Sequence, residues 1–239
     1  MGRGDTASLR SLPRVFVEGA DPQRGPIDLP KEEIEKLRKV LRLAEGDPIA
    51  VLPNDGTVIR CGFRARQAHP LLVETPKTEP DFELTVAQAL PKADKLDLIV
   101  RQGTEIGVSR FTLFAAERSV VRWDAAKTAD RLRRLNAIAR EAAEQSFRCK
   151  LPTIDAMVDL AAVLTAWPDA VVLSEVEGIG HTLQRPEDCG RRMTVVVGPE
   201  GGWAPRELSL IGDRGVTLGP RVLRVDTATA TAAAIVLLR

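Results

Sequence analysis

The sequence predicts an α/β protein in two parts, a short β-rich unit followed by a longer run of alternating strands and helices. Three observations lead there. From Phe82 onward, β-branched apolar stretches alternate with amphipathic helical ones, the pattern of a largely parallel sheet. Before Thr75, short strand-like runs are separated by turn chemistry instead. Near the C-terminus, three glycine-rich or polar loops each follow an apolar strand, and open α/β sheets hold ligands at such strand ends.

In the first part, "RVFVEG", "DPIAVL", "TVIRCGFRAR" and "LLVET" read as strands, and the Asp55-Gly56 pair after Asn54 suits a hairpin. Between them, "LPKEEIEKLRKVLRL" places Ile34, Leu37, Val40 and Leu41 at helical spacing. A β-barrel interrupted by one short helix is the simplest arrangement. The polar, proline-containing stretch Thr75–Asp81 is the natural linker, so residues 1–76 form one unit and 77–239 the other.

In the second part, "ELTVAQAL" is a strand and "KADKLDLIVRQGTEIGV" a helix ending near Gly107. "RFTLFAA" is a strand, "TADRLRRLNAIAREAAEQS" a long amphipathic helix, and "DLAAVLTAW" a shorter one. The strand "AVVLSEVEG", the strand "MTVVVGPEGG", the helix "PRELSLIGDRG" and the helical "DTATATAAAIVLL" complete the chain.

A chain of 239 residues can bury one large core or two smaller ones. Its 44% hydrophobic and 28% charged content describe a globular protein. No apolar run approaches the roughly 18 to 20 residues that span a bilayer. The opening "MGRGDTASLRSLPRVFVEG" lacks an apolar core of secretory type, and a cytoplasmic location with no membrane partner is expected. Cys61, Cys149 and Cys189 are isolated and odd in number, so they read as reduced thiols and no metal site is expected. A net charge of +1 argues against a nonspecific polyanion binder but allows local basic faces.

The three loops are "LSEVEGIG" from Leu173, "VGPEGGW" from Val197 and "LGPRVLRVDTATA" from Leu218. Adjacent strand ends carrying all three would form one pocket. The second loop has glycine at three of five positions, which lets backbone amides lie close to a ligand. It lacks the Lys and Ser/Thr of a phosphate-binding P-loop, and its glycines do not follow G-x-G-x-x-G.

With "VVVGPEGGWAPREL", "LGPRVLRVDTA" and "AREAAEQSFRCKLP" in view, the chain resembles the RsmE-type family of 16S ribosomal RNA uracil-N3 methyltransferases, of the SPOUT class. The resemblance covers nearly the whole chain. It implies a trefoil-knotted α/β methyltransferase domain, an exception to the rule against knots, behind an N-terminal PUA-like β-barrel that binds RNA. It also implies a homodimer, S-adenosylmethionine as cofactor, and 16S ribosomal RNA, within the small subunit, as substrate.

Carried over by position, the family's cofactor loops fall on Leu173, Ser174 and Glu175; on Gly198, Pro199, Glu200, Gly201 and Gly202; and on Leu218, Gly219, Arg221, Leu223 and Arg224. An RNA-facing role falls on Gln145, Ser146 and Arg148. Further basic candidates for RNA are Arg14, Lys39, Arg42, Arg64 and Arg66 in the first unit and Arg118, Arg131 and Arg134 beyond it. The chain departs from the family at Val225-Asp226-Thr227, where Thr-Glu-Thr is common, and at Phe147, where glycine is common. Paired histidines ahead of "KVLR" are replaced by Lys36 and Leu37.

Methylating uracil at N3 requires removal of a weakly acidic imide proton and alignment of nitrogen, methyl carbon and sulfur. It also requires stabilisation of the anionic base. A permanently charged arginine suits that last task, with Arg224 the first candidate and Arg221 the second. Glu200 is the candidate for orienting a ligand, or for accepting a proton if burial raises its pKa. Asp226 reads as a helix N-cap and Trp203 as packing near the pocket. Two other functions stay open at this point. One is a SPOUT enzyme acting on another RNA, such as tRNA or a ribose 2′-hydroxyl; the other is a non-enzymatic RNA-binding ribosome-assembly factor.

Overall fold

A computed structural model of the chain describes residues 8–92, 95–175, 181–187 and 190–238. Cys189 and residues 176–180 of the first loop lie outside the described residues. The chain forms two compact units. The first takes in residues up to Glu79 together with Ala143–Leu151, and the second takes in Pro80–Ala142 and Pro152 onward.

The first unit is built on a mixed five-stranded sheet. Its strands are β1 (Arg14–Phe16), β2 (Ile27–Asp28), β3 (Pro48–Leu52), β4 (Val58–Arg64) and β5 (Gln67–Glu74), in the order β1-β3-β4-β5-β2. β1 runs parallel to β3 and the other pairs are antiparallel. No ladder joins β1 to β2 among the described residues, so the sheet is an open half-barrel rather than a closed barrel. Helix α1 (Lys31–Glu35) continues as a π-turn over Lys36–Val40, and it buries Ile34 and Leu37 against Val15, Ile49, Val51 and Phe63. The Asn54-Asp55-Gly56 turn joins β3 to β4, with positive φ at Asn54 (72°) and Gly56 (101°) but not at Asp55, so the connection is a longer loop and not the two-residue type I′ hairpin that Asp-Gly suggests.

Residues 143–151 close the opposite side of this sheet. Ala143 and Cys149 pack with Leu12, Phe16, Ala50, Leu52 and Val58. The Arg148 N–H donates to the Ala143 carbonyl at 3.0 Å, which ends the preceding helix with a Schellman closure and puts Phe147 in the left-handed region at φ 67°. That is the position where glycine is common in the family. Here the phenylalanine ring lies under the Arg14 guanidinium, 3.7 Å from its centroid.

The second unit is a six-stranded parallel sheet in the order β11-β9-β10-β6-β7-β8. Its strands are β6 (Glu83–Ala89), β7 (Arg110–Phe114), β8 (Thr153–Ala156), β9 (Val171–Leu173), β10 (Arg192–Val197) and β11 (Gly215–Val216). Its helices are α2 (Lys95–Ile106), α3 (Ala125–Gln145, whose last turn belongs to the first unit), α4 (Leu160–Ala166), α5 (Pro205–Ile211) and α6 (Val225–Leu237). Both faces of β10 are buried, because successive side chains point to opposite sides. Val195 and Val197 join Leu84, Val86, Ile99, Val100 and Val236 in one layer. Val196 joins Ala87, Phe114, Val172, Leu160 and Ile211 in the other. Burial on both faces explains why this strand reads as an unbroken apolar run. Among the described residues, no helix is long and apolar enough to cross a membrane.

Candidate active site

Parallel pairing brings the carboxyl ends of β9, β10 and β11 to one edge of the sheet, with Val195 opposite Val171 and Val216 opposite Leu173. The chain segments leaving those ends surround a cavity of about 300 Å³. Its wall takes Leu173, Ser174 and Glu175 from the first loop, and Gly198, Pro199, Glu200 and Gly202 from the second. Leu218, Arg221 and Leu223 come from the third. Three separate stretches that the sequence singled out thus converge. Gly201, Gly219 and Arg224 do not line the cavity.

Local chemistry shapes each loop. The N–H of Gly202 donates to the Pro199 carbonyl at 3.0 Å, closing a four-residue turn, and Gly202 takes the left-handed φ of 68° that such a turn favours in glycine. A Cβ on Gly198 would stand 2.9 Å from the Trp203 ring, so that glycine is needed for the indole to pack. Trp203 is 8% exposed, stacks on Phe114 with centroids 6.5 Å apart, and donates from Nε1 to the Leu173 carbonyl at 2.9 Å. It therefore fixes the first loop to the second. Gly219 sits at φ 119°, where a side chain would be strained, and its N–H donates to Thr217 Oγ1 at 3.1 Å. Its role is to turn the third loop. A Cβ on Gly201 would meet Arg118 Cβ at 3.3 Å, so side chains there would press on Arg118, itself part of the cavity wall.

Glu200 does not have the raised pKa that proton abstraction at this position would need. Burial pushes its carboxyl upward. Donation from its own N–H, from the Lys92 N–H at 3.1 Å and from Lys95 Nζ at 3.1 Å outweighs that and holds it below the usual glutamate value. A carboxylate depressed in this way contributes stability above the ordinary glutamate pKa, and the contribution is lost as pH falls through the lowered value. Asp226 is not the N-cap of α6. The helix begins at Val225 with Arg224 at the cap position, leaving Asp226 inside the first turn with Oδ1 4.0 Å from Lys95 Nζ. Arg221 and Arg224 are exposed, and among the described residues their side chains make no hydrogen bond or ion pair.

The basic candidates separate into two groups. Arg148 is 4% exposed and paired with Glu79 at 2.9 Å, and Arg14 is half-buried over Phe147 and donates to the Leu9 carbonyl at 2.7 Å. The fold uses both guanidinium groups, burying Arg148 and leaving Arg14 partly exposed. Arg118, taken from sequence as an RNA contact, lines the cavity and donates to the Gly201 carbonyl at 3.1 Å. Lys39 pairs with Glu35 at 3.1 Å on the surface and Arg134 pairs with Asp97. Arg42, Arg64, Arg66 and Gln145 are exposed, while Arg131 and Ser146 are half-buried. The sequence reading passed over Val225 and Ala228, although their three-residue spacing on α6 put one apolar face toward the loops. It also missed Lys95, for which no local pattern exists.

The donor set fits an amphipathic nucleoside ligand. Val197, Leu218, Leu223 and Val225 supply apolar walls for a flat ring, and Glu175 and Glu200 can accept from an amine. Ser174 is 4% exposed and its Oγ is buried with no hydrogen-bond partner among the described residues, so a ligand would complete it.

Comparison with known proteins agrees with this geometry. The family model for the RNA methyltransferase domain matches residues 78–237. The ribosomal RNA small subunit methyltransferase E of Bacillus subtilis is 32% identical over 215 residues, covering 82% of this chain and 84% of the relative. The protein of the same name from Mycobacterium bovis is 34% identical over 210 residues, covering 81% and 79%. The crystal structure of a ribosomal RNA small subunit methyltransferase E from Neisseria gonorrhoeae, bound to S-adenosyl methionine, superposes with a TM-score of 0.80 at 26% identity, covering 93% of this chain and 95% of that one. By this match of model, sequence and fold, the chain belongs to the RNA methyltransferase family, as one of the small-subunit ribosomal RNA methyltransferases E.

Proposed function

We propose that the protein methylates N3 of a uridine in 16S ribosomal RNA, using S-adenosylmethionine held among the loops after β9, β10 and β11. The observation that supports this reading most is the convergence of Leu173–Glu175, Gly198–Glu200 with Gly202, and Leu218 with Arg221–Leu223 on one cavity with an unpartnered buried hydroxyl, in a chain of this family. The cofactor, when bound, supplies a methyl group on a positively charged sulfur.

The chain's own residues have four tasks. Leu173, Ser174, Glu175, the Gly198–Gly202 backbone, Leu218 and Leu223 bind and orient the ligand. Trp203 keeps the first two loops in register and excludes water from their base. Arg221 at the cavity wall and Arg224 at the start of α6 bring guanidinium charge that can stabilise the anionic uracil, and neither charge is neutralised by another described residue. The first unit is a PUA-like domain that holds RNA, through the exposed Arg42, Arg64 and Arg66 with Lys39. The remaining features also follow the family: a C-terminal segment threaded as a trefoil knot, a homodimer, and action in the cytoplasm.

The test is mass mapping of small-subunit RNA after incubation with the protein and methyl-labelled S-adenosylmethionine. N3-methyluridine at one site in 16S RNA is expected. A ribose 2′-O-methyl group, a modified tRNA or no transferred methyl would contradict the proposal.

A further inference from the structure

A fourth strand end reaches the cavity. After β7, the chain makes a tight turn that puts Arg118 into the cavity wall. The Ser119 N–H donates to the Ala116 carbonyl at 3.0 Å, and the Ala116 N–H donates to Ser119 Oγ at 3.2 Å. Ser119 Oγ donates in turn to the Leu90 carbonyl, just past β6, at 3.2 Å. Glu207, 6% exposed, ties the same turn to the second loop. Its Oε1 accepts from the Glu117 N–H at 2.9 Å and its Oε2 from the Ala204 N–H at 3.0 Å. The backbone that carries Arg118 is therefore fixed both to β6 and to the start of α5.

The side chain is fixed as well. Its stem runs along Gly201, where a Cβ would come within 3.3 Å of Arg118 Cβ and 3.8 Å of Cδ. Its Nη1 donates to the Gly201 carbonyl at 3.1 Å. Nε and Nη2 make no hydrogen bond among the described residues, and that edge of a guanidinium is the fork that receives a carboxylate through two parallel bonds. Arg221, the other guanidinium in the wall, has no bond to hold it. A donor held in place before its ligand arrives loses less freedom on binding, so Arg118 is the better prepared of the two. The residue before Gly201 is Glu200, a carboxylate in the same wall.

One turn thus carries an acid and, bonded to its next carbonyl, a base. S-adenosylmethionine ends in an amino acid, with an ammonium and a carboxylate on one carbon. We propose that Arg118 binds the carboxylate of the cofactor's methionine end, with Glu200 accepting from the adjacent ammonium. Arg118 then selects a nucleoside that bears an amino acid over one that does not. An RNA phosphate would suit the fork equally, but it brings no ammonium for Glu200, and that carboxylate repels a polyanion. The inference rests on the reading of this cavity as the cofactor site.

The experiment is calorimetry with S-adenosylmethionine and with decarboxylated S-adenosylmethionine, which lacks only the carboxylate. Wild-type protein should bind the first more tightly, by roughly 10- to 100-fold, the range for a charge-assisted contact. Arg118→Gln keeps the stem along Gly201 and should lose that preference, binding S-adenosylmethionine more weakly and the decarboxylated compound as before. Arg118→Lys keeps the charge without the fork and should retain part of the preference. Equal losses for both compounds, or no loss for either, would overturn the proposal. So would an Arg118→Gln protein that binds small-subunit RNA more weakly with its cofactor affinity intact, which would make Arg118 a phosphate contact. Should Arg118→Gln fail to fold, a wild-type protein that binds the two compounds equally overturns it. Wild-type protein that binds neither compound removes the cofactor reading itself, whereas equal binding of both removes only the carboxylate contact.

Discussion

Two polar regions of this molecule differ in a way that separates scaffold from site. In the first unit, Glu79 is saturated. Its Oε2 accepts from Arg148 Nε at 3.1 Å and Nη2 at 2.9 Å, and its Oε1 accepts from the N–H groups of Cys149 at 2.7 Å and Lys150 at 3.1 Å. In the second unit, around the cavity, Ser174 Oγ and Asp226 Oδ1 are buried without a donor or acceptor, and the Arg221 and Arg224 side chains are unpaired among the described residues. Buried atoms without a hydrogen-bond partner also occur in the first unit, at Glu33 Oε2 and His69 Nε2, so what marks the second region for a ligand is that Ser174 stands in the wall of a cavity. The first cluster is a clasp that seats residues 143–151 on the sheet of their unit.

The strongest way to break the comparison is to open the clasp. Glu79→Ala removes the carboxylate that holds the buried Arg148 guanidinium and two backbone N–H groups, and should destabilise by roughly 3–5 kcal/mol, the range for losing one partner of a buried pair. Denaturant unfolding followed by circular dichroism reads this. A change below 1 kcal/mol would mean the clasp is not what seats the segment.

Next in size is the packing beneath the cavity. Gly198→Ala drives a methyl group into the Trp203 ring, which stacking on Phe114 and the bond to Leu173 hold in place. It should lower stability by about 1–3 kcal/mol and weaken S-adenosylmethionine binding with it, as measured by calorimetry. Ser174→Ala tests the open side of the comparison. Removing an unsatisfied hydroxyl should leave stability nearly unchanged, while cofactor affinity falls by about 0.5–1.5 kcal/mol. If stability dropped and affinity did not, Ser174 would belong with the scaffold.

The smallest effect is expected at Phe147. Glycine relieves a left-handed residue by about 1–2 kcal/mol, and the lost stack under Arg14 costs about as much, so Phe147→Gly should be near neutral. Phe147→Ala keeps the strained φ and loses the stack, and should be the less stable of the two. The reverse order in thermal unfolding would show that backbone strain does not govern this turn.

The same contrast decides what the sequence could reveal. The parallel sheet was legible because Val195–Val197 of β10 are buried on both faces and read as an apolar run, and the pocket was legible from its three loops, although the strand before the third, β11, is only Gly215–Val216. β2 and β8 were not: Ile27–Asp28 and Thr153–Ala156 are short, mixed in polarity and held by neighbouring strands. Arg148 looked like an RNA contact because its partner, Glu79, lies 69 residues away, and no local pattern reports a long-range ion pair. Asp226 looked like an N-cap because the start of α6 shifts by a residue or two with little trace in the sequence. Lys95 drew no notice because a lone lysine at the start of a helix carries no signal until the fold brings Glu200 and Asp226 beside it.

Hydrogen exchange with and without S-adenosylmethionine tests the central claim most directly, since it reads both regions in one experiment. Added protection is expected in residues 173–175, 198–203 and 217–224, with residues 143–151 and their partner segment around Glu79 unchanged. Protection of the clasp without protection of the three loops, or no added protection anywhere at saturating cofactor, would contradict the assignment of the cavity as the cofactor site.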